Sequence, residues 1–323
     1  MSQLILTVTR ACNLRCSYCP TVKDGWPSLD EEDAARALGL FVDRFGGGDI
    51  KLFGGEPLLA PDVVASVLER AEGLSGIRRV YLSTNGLGLD SAWIERLRAN
   101  PKVILTLSMD GAPKDHRRLR RALPGVTDAY DHVVSLLPEL LTLPRMVVTQ
   151  TVAPATARRA AENFDHLLGL GFRRFNLLPG YYIPWKAEQL ASLKTGFHAI
   201  GDRFESAWAS GRRLYLRNLF TRAPTPFFNT GMVVDADRSI HPSNVGLSGS
   251  LDETLGRTKV GDLDHPPSAA ALAAAAARMP ALLKEAVDPA VWDATLAVDA
   301  ELTALCERLL PAWLATRRQR RSA

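Results

Sequence analysis

The strongest constraint on the fold is a regular alternation of short apolar segments with amphipathic ones. Six runs rich in β-branched and other apolar residues recur, at residues 3–9, 50–53, 79–84, 103–109, 145–152 and 173–178. Helical patterns lie between them, at residues 30–45, 61–74, 90–99, 127–141 and 156–170. Such alternation is typical of βα units that build a parallel sheet. The sequence therefore predicts the α/β class.

The helical pattern at residues 30–45 carries the clearest boundary signals. Ser28 and Glu31 have the spacing of a capping box at its start, and Gly46 is suited to end it. Its apolar side chains recur at helical spacing, at Ala34, Ala37, Leu38, Phe41 and Phe45. This pattern predicts an amphipathic helix that packs one face against the sheet.

The unusual residues of the chain all follow a predicted strand. They form clusters at residues 12–19, 54–57, 83–86, 108–111 and 178–182. Right-handed βα units curl into an open sheet or into a complete or partial barrel, and barrel active sites gather at the carboxyl ends of the strands. A barrel would bring the clusters that follow the different strands together in one site, so we favour the barrel over the open sheet. We predict a partial (β/α)6 barrel in residues 1–215 and a smaller α+β region in residues 216–323.

Three of the four cysteines lie within eight residues, at Cys12, Cys16 and Cys19. Thiolates are soft metal ligands, and three of them can hold three irons of a [4Fe–4S] cluster while the fourth iron stays open. A structural zinc is the alternative, but zinc usually takes four ligands in paired motifs, and no second cysteine pair follows. A distant histidine would have to complete the zinc site; the histidines considered for this are His116, His132 and His166.

The segment CNLRCSYC, residues 12–19, resembles the hallmark of radical S-adenosylmethionine (radical SAM) enzymes, including the aromatic residue before its last cysteine. GGEP at residues 54–57 is similar to the family motif that holds the amino group of SAM. STNG at 83–86, and SMDG at 108–111 with the basic residues after it, resemble signatures of the subgroup that modifies peptides and proteins. The resemblance covers about residues 3–180.

The resemblance implies a [4Fe–4S] cluster on the three cysteines and SAM as cofactor. Reductive cleavage of SAM would give a 5′-deoxyadenosyl radical that abstracts hydrogen from a substrate. The residues expected to contact SAM are Gly54, Gly55, Glu56, Pro57, Ser83, Asn85, Ser108, Asp110, Arg120 and Leu178. The alternative for the polar residues is that they serve turns and caps, and for Arg117 and Arg120 that they lie on a solvated helix face.

Many relatives carry a C-terminal SPASM or twitch region whose cysteines bind auxiliary clusters. The spacing of short motifs in this chain after residue 228 is similar to that of such a region. Asn229 and Ser243, however, occupy the positions where its cysteines are expected. We expect a region of that shape without auxiliary clusters. The fourth cysteine, Cys306, lies on an apolar helix face and is expected in the core. The aromatic residues that follow the sixth strand line the substrate cavity or pack against the C-terminal region; they are Tyr181, Tyr182 and Trp185.

The resemblance favours a ribosomally made peptide, in natural-product maturation, as the substrate. It implies an electron donor such as flavodoxin or ferredoxin. Either a separate protein or the C-terminal region is expected to recognise the peptide. A small-molecule amino acid or sugar intermediate is the alternative within the same chemistry. A zinc-stabilised, non-catalytic interaction protein is the alternative from another class.

Charge and hydropathy narrow the partners further. The formal net charge is only +4, with short basic runs at residues 116–121 and 317–321, which argues against a nucleic-acid partner. No run of about 18 apolar residues is present, so no membrane span is expected. The first residues do not match a signal peptide. We therefore expect a cytoplasmic protein.

Overall fold

The computed structural model describes residues 3–221, 230–244 and 256–322, with side chains to residue 317. The strands are β1 (Gln3–Thr9), β2 (Leu14–Cys16), β3 (Gly48–Gly54), β4 (Ile77–Thr84), β5 (Val103–Ser108), β6 (Arg120–Ala122), β7 (Val147–Val152), β8 (Arg174–Pro179), β9 (Tyr215–Leu216), β10 (Thr230–Val234), β11 (Ser239–Ser243) and β12 (Gly261–Asp262). The helices are α1 (Glu31–Phe45), α2 (Pro61–Gly73), α3 (Ser91–Ala99), α4 (Pro113–Leu119), α5 (Ala129–Ser135), α6 (Leu137–Leu140), α7 (Ala160–Gly169), α8 (Ala187–Ala209), α9 (Ala269–Ala286) and α10 (Pro289–Ser322).

The six predicted strands form one continuous parallel array. Their order in the sheet is β1, β3, β4, β5, β7 and β8, and each neighbouring pair runs parallel. Side chains alternate between the two faces. One face carries apolar residues that are fully buried against the helices, such as Leu6, Leu52 and Leu82. The partial (β/α)6 barrel predicted from the sequence is confirmed, and its other face lines the barrel interior.

Helix α1 ends as predicted but begins differently. Gly46 adopts the left-handed conformation at φ 68° and its N–H donates to the Val42 carbonyl. At the start, Asp30 is the cap, since its carboxylate accepts from the Asp33 N–H at 2.7 Å. The predicted capping box of Ser28 and Glu31 is wrong. The Ser28 hydroxyl instead donates to Thr9 Oγ1 at 2.8 Å, because the segment before α1 returns to β1.

The helix predicted at residues 127–141 is two helices. The first, α5, ends at Ser135, and α6 begins at Leu137 with Pro138 in its first turn. Proline has no N–H to donate to the preceding turn, so it starts a new helix more easily than it continues one. The prediction failed here because the apolar periodicity continues across the proline.

The C-terminal residues extend the same sheet. Strand β10 pairs parallel with β1 at the edge, and β11 and β12 continue antiparallel beyond it. At the opposite edge β9 pairs with β8, so the predicted boundary between residues 215 and 216 falls inside a strand. The division into two domains stays a prediction. Asn229 lies outside the described residues, and Ser243 is buried in β11.

The long helix α10 lies against α8 and β8. Cys306 is half-buried on it and packs against the apolar core, as the sequence predicted. The Tyr181 hydroxyl donates to Asp299 Oδ1 and the Tyr182 N–H donates to Thr295 Oγ1, each at 2.9 Å. The two tyrosines are buried and bond to the C-terminal helix, one of the two arrangements expected for them. Trp185 is also buried, and its Nε1 donates to the Gly180 carbonyl at 2.7 Å.

A buried ion pair joins the edge of the barrel to its C-terminal extension. Arg10, directly after β1, is fully buried and donates through Nε to Asp235 Oδ1 at 3.1 Å and through Nη2 to Oδ2. The Trp26 ring stacks on the guanidinium, 3.4 Å from its central carbon. Arg10 lies two residues before Cys12, so this pair fixes the base of the cysteine segment.

In the described part of the chain, no helix is long and apolar enough to cross a membrane.

The buried ion pair predicts a strong asymmetry between single and double substitutions. Asp235→Asn should lower the free energy of unfolding by about 3–5 kcal/mol, because it leaves the Arg10 charge buried without a counterion. Replacing both partners, as Arg10→Met with Asp235→Leu, should recover most of that loss. Urea denaturation followed by circular dichroism measures both. The matched control is Asp165→Asn, which removes the exposed partner of Arg203 and should cost less than about 1 kcal/mol; equal losses for both single variants would contradict the prediction.

Candidate active site

The cysteine segment is held in place by a short two-stranded sheet. Strand β2 pairs antiparallel with β6, so that Cys16 lies opposite Arg120. The Ser17 N–H donates to the Leu119 carbonyl at 2.8 Å, and the Leu123 N–H donates to the Asn13 carbonyl at 3.1 Å. Backbone hydrogen bonds therefore join the segment after β1 to the segment after β5.

The three thiols have different surroundings. The Cys12 sulfur accepts from the Leu14 N–H at 3.4 Å, and burial raises the pKa of its thiol. Burial also raises the pKa of the Cys16 thiol, to about 12. Burial acts in the same direction on Cys19, but the Lys23 ammonium, 3.2 Å from the sulfur, and hydrogen bonds from Thr21 outweigh it and lower that pKa. Cys19 is thus the most readily ionised of the three.

The sulfur donors fit an iron–sulfur cube better than a single ion. Among the described residues, no three histidine, cysteine, aspartate or glutamate side chains lie close enough to share one metal ion. A cube does not require this, because each of its cysteines binds a different iron. A cavity of about 340 Å³ adjoins Cys16 and Cys19, and Lys23 also lines it.

The histidines considered as a fourth zinc ligand are engaged elsewhere. His132 Nε2 lies 2.9 Å from the Leu89 carbonyl oxygen, and His166 Nε2 lies 2.6 Å from the Tyr130 hydroxyl. His116 Nδ1 accepts from the Asp110 N–H at 3.4 Å. Burial lowers the pKa of His116 to about 4, so its ring is neutral at pH 7.

The GGEP segment packs its backbone directly against the cysteine segment. The Gly55 N–H donates to the Thr9 carbonyl and the Glu56 N–H donates to the Ala11 carbonyl, both at 2.8 Å. A Cβ atom on Gly55 would lie 2.1 Å from the Ala11 carbonyl oxygen and 2.2 Å from that of Arg10. Only glycine allows this approach, which explains the pair of glycines before Glu56.

Glu56 joins the GGEP segment to the STNG segment. Its buried carboxylate accepts from the Thr84 hydroxyl and the Asn85 N–H, both at 2.7 Å, and from the Leu58 N–H at 3.1 Å. Burial raises the pKa of this carboxyl group, and these three hydrogen bonds oppose that effect. The Asn85 amide in turn donates to Asn13 Oδ1 at 2.7 Å, within the cysteine segment. The contacts of Glu56 and Asn85 with SAM stay predictions, because these side chains mainly bind protein groups.

Asp110 joins the SMDG segment to the cysteine segment in the same way. It is buried and accepts from the Tyr18 hydroxyl at 2.8 Å, from Arg120 Nε at 2.9 Å and Nη2 at 3.1 Å, and from the Thr151 N–H at 3.0 Å. Arg120 is therefore not on a solvated helix face. That alternative is correct for Arg117, which is exposed and binds carboxylates on and beside α5. Nη1 of Arg120 is not used by Asp110.

Sequence reasoning did not assign Tyr18 and His116 to this network. The signal for Tyr18 was present, since it is the aromatic residue before the last cysteine of the motif. Nothing in the sequence marks His116 as a neighbour of the Asp110 backbone, because that contact depends on how α4 turns back toward the strand.

Other predicted SAM residues present free groups to the barrel interior. Ser83, Ser108 and Leu178 occupy inward-facing positions near the carboxyl ends of their strands and stay partly exposed. Within the described residues, neither serine hydroxyl has a hydrogen-bond partner. Pro57 is buried in the short turn after Glu56, where it supports the backbone.

Residues 6–141 match the family model of the radical SAM superfamily. This part of the chain is a radical SAM domain. Among curated relatives, molybdenum cofactor biosynthesis protein 1 of Mus musculus is 37% identical over 115 residues, 34% of this chain and 18% of that protein. GTP 3′,8-cyclase of Synechococcus sp. (strain CC9902) is 34% identical over 168 residues, 50% of this chain and 44% of that protein. The chain thus spans less than half the length of either relative.

Solved structures of radical SAM proteins share the fold over most of the chain. The structure of anSMEcpe with bound AdoMet has a TM-score of 0.68 and 19% identity, covering 84% of this chain and 79% of that one. SuiB of Streptococcus suis bound to S-adenosylmethionine has a TM-score of 0.60 and 17% identity, covering 81% of this chain and 61% of that one. The likeness therefore includes much of the C-terminal extension as well as the barrel.

The close approach at Gly55 predicts opposite effects for one chemical change made at two glycines. Gly55→Ala should lower the free energy of unfolding by about 1–3 kcal/mol, because the added methyl group meets two backbone carbonyls that must shift. Gly39→Ala, on the exposed side of α1 with nothing within 4 Å of the new Cβ, should raise it by about 0.5–1 kcal/mol. Urea denaturation of both variants measures this; a gain in stability for Gly55→Ala would contradict the packing described.

Proposed function

We propose that this chain is a radical SAM enzyme with a [4Fe–4S] cluster on Cys12, Cys16 and Cys19. The observation that carries the proposal is the convergence of four separate motifs on one end of the barrel, where Glu56 and Asp110 tie the segments after β3, β4 and β5 to the cysteine segment. When bound by these cysteines, the reduced cluster would supply one electron to SAM. Cleavage of the sulfur–5′-carbon bond would then give methionine and a 5′-deoxyadenosyl radical able to abstract hydrogen from the substrate.

The residues of this chain divide the work of holding SAM. Gly54 and Gly55 let their backbone pack against the cysteine segment, where a Cβ atom would meet backbone carbonyl oxygens. We expect the backbone groups of this segment to hold the methionine amino group from there. The unpartnered hydroxyls of Ser83 and Ser108 face the interior, where the ribose would lie, beside the apolar side chain of Leu178. We expect Arg120 Nη1 to donate to the methionine carboxylate, because Asp110 accepts only from the other two nitrogens of this guanidinium.

We propose a peptide as the substrate class, in natural-product maturation. The likeness to anSMEcpe and SuiB supports this, because structures of those proteins contain the peptide Cp18Cys and the precursor peptide SuiA. An electron donor such as flavodoxin or ferredoxin would reduce the cluster, and a separate protein would help present the peptide. We place the protein in the cytoplasm, where cysteines stay reduced.

A small-molecule substrate is the second candidate. The relatives named GTP 3′,8-cyclase favour it, because their identity of 34% over half of this chain exceeds the identity to the peptide-binding structures. The fold itself supports both classes, since function depends on the site and not on the architecture.

The cluster assignment predicts a sharp difference between two cysteine variants. After anaerobic reconstitution with iron and sulfide, the wild-type protein and Cys306→Ala should hold about four irons per chain, and Cys16→Ala should hold much less, since only Cys16 belongs to the motif. With dithionite and SAM, the first two should release 5′-deoxyadenosine and the third should not.

Iron content by metal analysis and 5′-deoxyadenosine by chromatography give the two readouts. Tight binding of one zinc ion, without iron uptake or SAM cleavage in repeated preparations, would overturn the proposal and favour the interaction protein.

The free hydroxyls predict a measurable share of SAM affinity. Ser83→Ala and Ser108→Ala should each weaken SAM binding by about 2- to 13-fold, which corresponds to the roughly 0.5–1.5 kcal/mol of one neutral hydrogen bond. Calorimetric titration of the reconstituted protein with SAM measures the change. Ser75→Ala, in the exposed turn between α2 and β4, is the matched control and should leave the affinity unchanged; so should both test variants if these hydroxyls only face water.

A further inference from the structure

The sulfur of Cys19 accepts more hydrogen bonds than its position in the motif requires. The Lys23 ammonium donates to it at 3.2 Å, and Thr21 adds backbone and side-chain hydrogen bonds to the same sulfur. The Cys12 sulfur accepts only a backbone bond in the described part of the chain, from the Leu14 N–H at 3.4 Å. A positively charged donor is thus directed at one of the three predicted cluster ligands.

The position of this ammonium is set by the cysteine segment itself. Lys23 follows Cys19 by only four residues, and its Nζ also donates to the Thr21 carbonyl at 3.0 Å, so the side chain turns back toward the sulfur. The next residue, Asp24, accepts from Arg15 Nη2 at 3.1 Å. Lys23 also lines the cavity of about 340 Å³ beside the motif. Two short-range bonds therefore hold the charge next to the sulfur without help from another part of the fold.

A cation in this position acts unequally on the two redox states of a bound cluster. Reduction takes one electron from an external donor, breaks no bond, and makes the cluster with its thiolates one charge more negative. A fixed positive charge therefore stabilises the reduced state more than the oxidised state. Hydrogen bonds to the sulfur atoms of a cluster act in the same direction and help to set its reduction potential.

We propose that Lys23, by donating to the Cys19 thiolate, raises the reduction potential of the cluster. Lys23 acts through Cys19 and needs no contact with SAM or the substrate. The inference rests on the proposed function and adds to it a residue outside the cysteine motif. That residue determines how readily the electron donor can reduce the cluster.

The test compares the wild-type protein with three variants at this position after anaerobic reconstitution with iron and sulfide. Lys23→Arg keeps the charge and the N–H donors, Lys23→Gln keeps only N–H donors, and Lys23→Met removes both. The matched control is Arg121→Met. It removes one positive charge from an exposed position on β6, opposite Arg15 of the cysteine segment.

Two quantities are measured without SAM. Iron content reports how much cluster each variant holds. A dithionite titration with redox mediators, followed by electron paramagnetic resonance of the reduced cluster, gives the ratio of reduced to oxidised cluster at a known potential.

At the midpoint potential of the wild-type protein, this ratio should be roughly tenfold lower in Lys23→Met, which corresponds to about 59 mV for a one-electron couple. Lys23→Arg should restore most of the ratio, and Lys23→Gln should lie between the two. Arg121→Met should change the ratio by less than about threefold, because water and salt screen an exposed charge.

An unchanged ratio in Lys23→Met, or an equal fall in Arg121→Met, would overturn the inference. If Lys23→Met takes up little iron, Lys23→Gln replaces it in the comparison, and an unchanged ratio there has the same meaning. A merely structural lysine would affect iron uptake but not the potential of the clusters that form. Failure of the wild-type protein to take up iron would contradict the proposed function, whereas full uptake with one potential for all variants would contradict only the role of Lys23.

Discussion

The site depends on the burial of two carboxylates, Glu56 and Asp110. A carboxylate removed from water is tolerated only when hydrogen bonds replace its hydration, so each of these groups requires several donors at fixed positions. Glu56 takes its donors from the end of β4, from the residue after it and from its own segment. Asp110 takes its donors from the cysteine segment, from the end of α4 and from β7. Loops that could otherwise move separately are thereby fixed relative to one another.

This constraint explains why the polar residues of the motifs divide into two groups. Glu56, Asn85 and Asp110 are buried and hydrogen-bonded to protein groups, so they organise the site. Ser83 and Ser108 stay partly exposed with free hydroxyls. A resemblance in sequence treats all five as equivalent members of a binding motif. The structure separates those that hold the loops from those that are available to a ligand.

The secondary structure and the parallel order of the barrel could be predicted from the sequence because both depend on local periodicity and on the handedness of βα units. The close approach of Gly55 to the Ala11 carbonyl could not, since its partner lies 44 positions away in the chain. The same holds for Arg120. The sequence left a SAM contact and a solvated helix face as alternatives for it, and neither indicated the buried pairing with Asp110. At Ser28 the local sequence predicted a helix cap, but the Ser28 hydroxyl bonds to Thr9, a contact that exists only in the folded sheet.

The Arg10–Asp235 pair gives the C-terminal extension a role that needs no auxiliary cluster. Without β10, β1 would be an exposed edge strand, and the Arg10 guanidinium, two residues before Cys12, would lose its buried counterion. The extension pairs that edge and supplies the carboxylate at the place where the cysteine segment leaves the sheet. The position of Cys12 thus depends on a strand and a carboxylate of the extension, and this role requires no metal ligand from it.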